Sequence, residues 1–218
     1  MGFPMAKHLI NSGYELIVAK HSNKQESLDR LNELEALGAI IKDNIIEVPI
    51  DTDLIISILP TDAEVRSVFI NEEFHNNIKG NTVILEMTSC NSEIVMELEK
   101  YYLDKPVSGG VIGAVNGTLT ILGSGDKEVY DNLIEILKVL GKNINYVGKL
   151  GAGKTLKSIN QMMIAINTLG VIEGYYLAKE HGVDFDIMYN VIKDSSGNSY
   201  AFNRYLDRLI LKPDLSLA

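Results

Sequence analysis

The sequence predicts an α/β fold, a doubly wound sheet followed by an all-α domain, and three observations predict it. Short continuous apolar runs alternate with polar, helix-forming stretches over the first two thirds of the chain. After Gly151-Ala152-Gly153 the pattern changes to a proline-free stretch of roughly thirty residues with apolar positions at helical spacing. The 218 residues are 46% hydrophobic, enough to bury a sizeable core in one large domain or one domain with an appendage.

Taken in order, residues 5–12 read as a helix that Gly13 stops. In the strand 15–19, Leu16, Ile17 and Val18 stand together, as expected of a strand buried on both faces of a parallel sheet. A polar helix runs from about Lys24 to Leu37, and a short extended piece follows near Ile40. Asp53 to Leu59 is a second strand, closed by Pro60, and Thr61 to Phe69 is a short helix. Thr82 to Glu86 is a third strand, and Ser92 to Tyr101 another helix. Beyond Gly153, Leu156, Ile159, Met163, Ile166 and Leu169 mark one face of a long helix that Gly182 ends. Phe185 to Lys193 is a second helix, Asp194 to Asn198 a polar turn, and a third helical stretch follows. The glycines between Gly148 and Gly153 divide the chain into an α/β domain, 1–149, and an all-α domain, 150–218.

Charge and composition exclude several classes of function. Lys and Arg total 20 against 29 for Asp and Glu, and the net charge of -9 leaves no basic surplus for nucleic acid. The lone Cys90 rules out an intrachain disulfide framework. No apolar run approaches the ~20 residues of a membrane span, and the opening lacks the segments of a signal peptide. A soluble cytoplasmic protein is the expectation.

Four segments carry chemistry. Met1-Gly2-Phe3-Pro4-Met5-Ala6 opens a helix with no strand before it, and Gly2 suits either an ordinary helix start or the end of a phosphate-binding loop. After the strand 15–19 comes Lys20-His21-Ser22, where a carboxylate would serve the 2′-hydroxyl of NAD. A cation with hydroxyl and imidazole donors suits a 2′-phosphate instead, which points to NADP ahead of NAD. The span from Asp104 through Ser108-Gly109-Gly110 and Gly113 to Gly117-Thr118-Leu119 holds five glycines if Gly123 is included, too many for a regular strand or helix. It is either a turn-rich connection or a cradle of backbone N–H groups for an anion, with the Ser108 hydroxyl as a further donor. Lys157, early on the long helix, has Asn160 and Gln161 at i+3 and i+4 on its face. A lone helical lysine is ordinarily a solvated charge, and Lys154 is read as one.

Met-Gly-x-Pro-Met-Ala, then Pro-Val-Ser-Gly-Gly continuing to Gly-Ala and Gly-Thr-Leu, then Gly-x-Gly-x-x-x-Lys-x-x-Asn, resemble in order the β-hydroxyacid dehydrogenase family. That family includes 3-hydroxyisobutyrate dehydrogenases, tartronate semialdehyde reductases and 2-(hydroxymethyl)glutarate dehydrogenases, and more distantly phosphogluconate dehydrogenase. The resemblance implies a Rossmann-like domain in which Gly2 is the third glycine of the dinucleotide fingerprint and the first strand lies upstream of residue 1. It implies that Gly2, Phe3, Pro4 and Met5 face the cofactor, as do Leu59, Pro60, Thr61, Thr88 and Ser89, which end two strands. Lys20, His21 and Ser22 occupy the place of an Asn-Arg-Thr or Asn-Arg-Ser found in NADP-using members. Ser108, Gly109 and Gly110 become substrate contacts, with Lys105 where alanine is usual.

By the same resemblance Lys157 is the acid/base, Asn160 and Gln161 bind substrate hydroxyls, and Ser196 sits in a turn over the substrate pocket. The tail departs from the pattern, with Pro213 following Lys212 where the family has Lys-Asp-Leu. The implied activity interconverts a small 3-hydroxy acid and its semialdehyde or ketone, in a homodimer or homotetramer. A cofactor-binding fragment or pseudoenzyme without catalysis is the alternative. Imine reduction is disfavoured by the presence of Lys157, which relatives with that activity usually replace.

Overall fold

The computed structural model describes every residue except 21, 80–81, 90, 92, 95–101, 105–106 and 207–218. The expected helix from Ser92 to Tyr101 lies mostly outside the described residues, as do Cys90, His21 and the tail around Lys212. The chain divides into two units, Met1–Lys157 and Ser158–Ala218.

In the first unit, α1 (Gly2–Asn11) leads to β1 (Ile17–Ala19), α2 (Gln25–Ala36) and β2 (Ile40–Lys42). A 3-10 turn (Ile45–Asp51) precedes β3 (Leu54–Ser57), followed by α3 (Asp62–Phe69), α4 (Glu72–Asn76) and β4 (Val83–Glu86). The starts of α3 and α4 have a local cause. Thr61 caps α3 by accepting from the Ala63 N–H at 3.1 Å, and Asn71 caps α4 by accepting from the Phe74 N–H at 3.1 Å.

β3 and β4 pair in parallel from Leu54↔Val83 to Ser57↔Glu86. β5 (Tyr102–Asp104) continues the parallel order beside β4. Beyond it the sheet turns mixed, because β7 (Leu119–Ser124) runs antiparallel to both β5 and β6 (Val107–Ser108). β8 (Gly141–Gly148) then pairs in parallel with β7. β1 and β2 form a separate parallel pair, with no hydrogen-bonded link to the larger sheet among the described residues.

Alternation along β4 sorts two cores to the two sheet faces. Leu85 and Met87 join Met5 and Leu9 of α1 with Leu137 and Leu140 of a later helix, whereas Ile84 joins Ile55, Val65, Phe69 and Phe74. Helices therefore cover both faces, as the doubly wound reading requires.

The glycine-rich span is more regular than its composition suggests. Between Ser108 and Leu119 lies α5 (Gly110–Val115), and Gly123 sits inside β7. The expectation of an irregular span is corrected accordingly. Gly109 (φ 127), Gly110 (φ 60) and Gly117 (φ 61) take the left-handed turns at the ends of α5, and regular elements form between them. After β7 come α6 (Lys127–Asn132) and α7 (Ile134–Leu140), then β8.

α8 (Ala152–Glu180) begins in the first unit and continues into the second. It ends as the sequence predicts, with Gly182 at φ 72 and the Val183 N–H reaching back to the Ala178 carbonyl at 2.8 Å. α9 (Phe185–Ile192), capped by Asp184, and α10 (Tyr200–Leu206) complete the second unit. Its small core is built on Val171 and Phe202, with Tyr189 stacked on Phe202 at 5.7 Å between centroids. Leu156, Ile159, Met163, Ile166 and Leu169, the stripe read from the sequence, are all exposed. Among the described residues, no helix is long and apolar enough to cross a membrane.

Candidate active site

Two strand ends and two helix starts converge in the first unit. α1 starts beside the end of β3, where a Cβ added to Gly2 would stand 3.2 Å from Cγ2 of Ile58. Glycine at residue 2 permits that approach. The first turn of α1 carries no acidic residue, and among the described residues no side-chain hydrogen bond caps its N–H groups. Its positive end is thus open to an external anion, which fits the pyrophosphate of a dinucleotide. Phe3 lies 5.6 Å from Nζ of Lys7 and 5.8 Å from the guanidinium of Arg30, and Met5 is buried in the core beneath. Lys20 and Ser22 follow β1; the Lys20 N–H donates to the Lys42 carbonyl at 2.8 Å, and the Ser22 hydroxyl accepts from the Lys24 N–H at 3.2 Å.

The segments after β3 and β4 are tied directly to each other. The Leu59 N–H donates to Oγ1 of Thr88 at 2.9 Å. The Thr88 N–H donates to Oε1 of Glu86 at 2.8 Å, and the Ser57 hydroxyl donates to the same oxygen at 3.4 Å. Pro60, Thr61 and Ser89, further out, are exposed.

Lys154 enters this network from the first turn of α8. Its ammonium forms an ion pair with Oε2 of Glu86, donates to the Thr88 carbonyl, and lies 3.3 Å from the Glu86 carbonyl. The expectation of a solvated Lys154 is therefore overturned: the residue is 1% exposed. A carboxylate that closes an otherwise apolar buried strand needs a cation, and Lys154 is within reach. Alongside it, the Gly153 N–H donates to the Ser124 hydroxyl at the end of β7, at 3.2 Å.

Glu86, Lys154, Ser57 and Ser124 were not singled out from the sequence as site residues. The signal available was the charge ending Val83-Ile84-Leu85-Glu86, since buried carboxylates are rarely left alone.

Lys157 stands one turn beyond Lys154 and is 9% exposed. Burial holds its amine below the ordinary lysine range. A lysine so shifted comes nearer the working range of a general acid/base at neutral pH.

Ser108 ends β6, paired with Thr120 of β7, and Gly109 and Gly110 follow it at the exposed start of α5. That start has no side-chain cap. His8 of α1 fixes the far end of α5 through a 2.9 Å hydrogen bond to the Val115 carbonyl. In the second unit, Asn160 donates to Oε1 of Gln161 at 3.4 Å, and Ser196 is exposed in the turn after α9.

Comparison with known proteins follows these two parts of the chain. Residues 1–148 match the family model of the NAD binding domain of 6-phosphogluconate dehydrogenase. Residues 151–216 match that of the NAD-binding region of NADP-dependent 3-hydroxyisobutyrate dehydrogenase. The chain is 35% identical over 193 residues to 2-hydroxy-3-oxopropionate reductase of Escherichia coli, covering 84% of this chain and 64% of that protein. It is 30% identical over 229 residues to 2-(hydroxymethyl)glutarate dehydrogenase of Eubacterium barkeri, covering 99% of this chain and 73% of that protein. A solved structure of Mycobacterium tuberculosis 3-hydroxyisobutyrate dehydrogenase with L-serine superposes with a TM-score of 0.85 at 24% identity, over 94% of this chain and 71% of that one. The likeness to that structure is one of fold. The chain thus spans less than two thirds of the Escherichia coli relative.

Proposed function

Because the chain belongs to the β-hydroxyacid dehydrogenase family of NAD(P)-dependent oxidoreductases, we propose that it interconverts a small 3-hydroxy acid and its semialdehyde or ketone, with Lys157 as acid/base. The observation that carries this reading is the buried Lys157 amine, its affinity for protons lowered by desolvation, on a helix whose first turn is bonded to the ends of β4 and β7.

Gly2, Phe3, Pro4 and Met5 form the end of α1 that holds the pyrophosphate, where the N–H groups of Gly2 and Phe3 and the helix dipole favour negative charge. Leu59, Pro60, Thr61, Thr88 and Ser89 line the nicotinamide side. Lys20, His21 and Ser22 receive the 2′-phosphate, so NADP is preferred to NAD. The dinucleotide, when bound, supplies hydride to the carbonyl carbon. Ser108, Gly109 and Gly110 grip the substrate carboxylate through the Ser108 hydroxyl and backbone N–H groups. Lys157 gives its proton to the carbonyl oxygen as negative charge develops there, and in the reverse direction the neutral amine takes the hydroxyl proton. Asn160, Gln161 and Ser196 bind the remaining polar groups of the substrate and select among hydroxy acids. The protein acts in the cytoplasm as a homodimer or homotetramer.

The test is oxidation of NADPH and NADH by the chain with a panel of short carboxylated semialdehydes and ketones. We expect turnover on at least one member, faster with NADPH. Cofactor binding with no turnover on any member would leave the non-catalytic reading in its place.

A further inference from the structure

We propose that the buried Lys154–Glu86 ion pair is a positioning element, which fixes the rotation of the first turns of α8, residues 152–157, against the sheet and so aims Lys157, while holding Leu59 and Thr88 in the same hydrogen-bonded frame. The proposal rests on the reading of Lys157 as the acid/base, and it adds two residues to which that reading assigns no part.

Residues three apart on an α-helix lie roughly 60° apart around its axis, one turn along. Lys154 and Lys157 therefore rise from nearly the same face of α8, and whatever fixes the first directs the second. Lys154 is fixed from several directions: the Glu86 carboxylate, the Glu86 carbonyl at 3.3 Å and the Thr88 carbonyl. The Gly153 N–H, held by Ser124 at 3.2 Å, adds a backbone anchor from another strand. An ammonium held by these acceptors cannot turn with the helix without leaving a charge buried.

The other end of the pair reaches the cofactor side. Oε1 of Glu86 accepts from the Thr88 N–H at 2.8 Å and from Ser57 at 3.4 Å, and Oγ1 of Thr88 accepts from the Leu59 N–H at 2.9 Å. One carboxylate thus joins the segments after β3 and β4 to the helix that bears the proton donor.

Stability alone gives little reason for such a pair. Taking both charges out of water offsets much of their attraction, and apolar residues of similar volume are often as stable in the same place. What apolar residues do not supply is a directional constraint. Hydride transfer and proton transfer to one carbonyl need two groups held in one geometry, and a rigid polar bridge between their supports meets that need.

The test uses the full chain with the double substitution Glu86→Leu/Lys154→Met, which removes both charges together. The conservative pair Glu86→Asp/Lys154→Arg keeps them, and Lys157→Ala is the control. Circular dichroism establishes folding. Competitive acetylation across pH, read at Lys157 by peptide mass spectrometry, follows that amine without any turnover.

For the apolar pair we expect the Lys157 midpoint to rise toward that of an exposed lysine, with its acetylation rate at pH 8 falling severalfold. We also expect kcat to fall about tenfold or more with KM within about twofold, and the conservative pair to recover most of the loss. Should the apolar pair fail to fold, Glu86→Gln/Lys154→Met keeps an acceptor for Thr88 and Ser57 and carries the same expectations. A wild-type labelling midpoint in a folded charge-free variant overturns the proposal. A shifted midpoint with unchanged turnover, where Lys157→Ala also turns over normally, upholds the positioning of the amine and overturns its role as acid.

Discussion

Within α8, Lys154 and Lys157 are buried, whereas Met162, Met163, Ile166 and Leu169, further along the same helix, stand exposed. Charge lies inside at one end and apolar surface outside along the rest, the reverse of what hydropathy assigns. The difference lies in the partners each stretch meets. The first turn faces strand ends that offer a carboxylate, two carbonyls and a hydroxyl. Burial is tolerable there because polar groups receive polar partners, which is the condition for removing a charge from water. The later stretch contributes Val171 and the partly buried Tyr175 to the core of its own unit and leaves Met162, Met163, Ile166 and Leu169 outside.

The sharpest way to break this comparison is to remove one member of the buried pair. Lys154→Met alone takes the Lys154 cation from the buried Glu86, and Glu86→Leu alone takes the carboxylate from the buried ammonium. Each is expected to cost about 3–5 kcal/mol, a drop in thermal midpoint on the order of ten degrees, while the double change costs far less. Thermal unfolding followed by circular dichroism checks this, and single variants that melt with the wild type would show that the pair is not buried in solution.

Lys157→Ala comes next in size. Turnover should fall by at least ~100-fold, the contribution of a positioned general acid, with NADPH affinity within about twofold by fluorescence titration. A loss of affinity with retained turnover would place the side chain on the cofactor and not on the reacting oxygen.

These two lysines also show how far the sequence could be read. The strands 54–57 and 83–86 and the start and end of α8 were legible, because continuous apolar runs, Pro60, Gly153 and Gly182 mark them. Residues 119–148 were not resolved into elements, since Gly123 inside β7 reads as loop and β8 is a largely polar strand, Lys142-Asn143-Ile144-Asn145. Its first residue is glycine for a tertiary reason: a Cβ on Gly141 would collide with the Leu119 carbonyl, a contact that no local pattern reveals. Lys157 was found through the spacing of a family motif. Lys154 was missed because a helical lysine looks alike whether it meets water or a carboxylate brought from strand β4, sixty-eight positions earlier.

pH dependence gives a finer test of Lys157. Burial lowers the affinity of Lys157 for its proton, so in the reduction direction, which uses the protonated amine, log kcat should fall above a midpoint lying under the ordinary ~10.4 of lysine. The oxidation direction should rise through the same midpoint. The unfolded chain binds the proton more tightly, so the buried charge costs stability below the folded midpoint, and the cost is relieved as pH climbs toward the unfolded value. Lys157→Met should accordingly melt higher than wild type at pH 7, with the advantage shrinking toward pH 10. An advantage constant with pH would mean that packing, and not the charge, sets the difference.

The smallest effect belongs to the exposed stripe. Ile166 is 62% exposed and Met163 56%, so each already meets water in the folded chain. Replacing either with glutamine removes little that folding had buried, and stability should change by no more than about 0.5 kcal/mol. Denaturant titration of Met163→Gln and Ile166→Gln measures this directly. A loss above roughly 1 kcal/mol from either, growing with protein concentration, would show the stripe covered by a second copy in solution. The contrast along α8 would then lie between two kinds of buried surface, one held by charge within the chain and one held by apolar contact between chains.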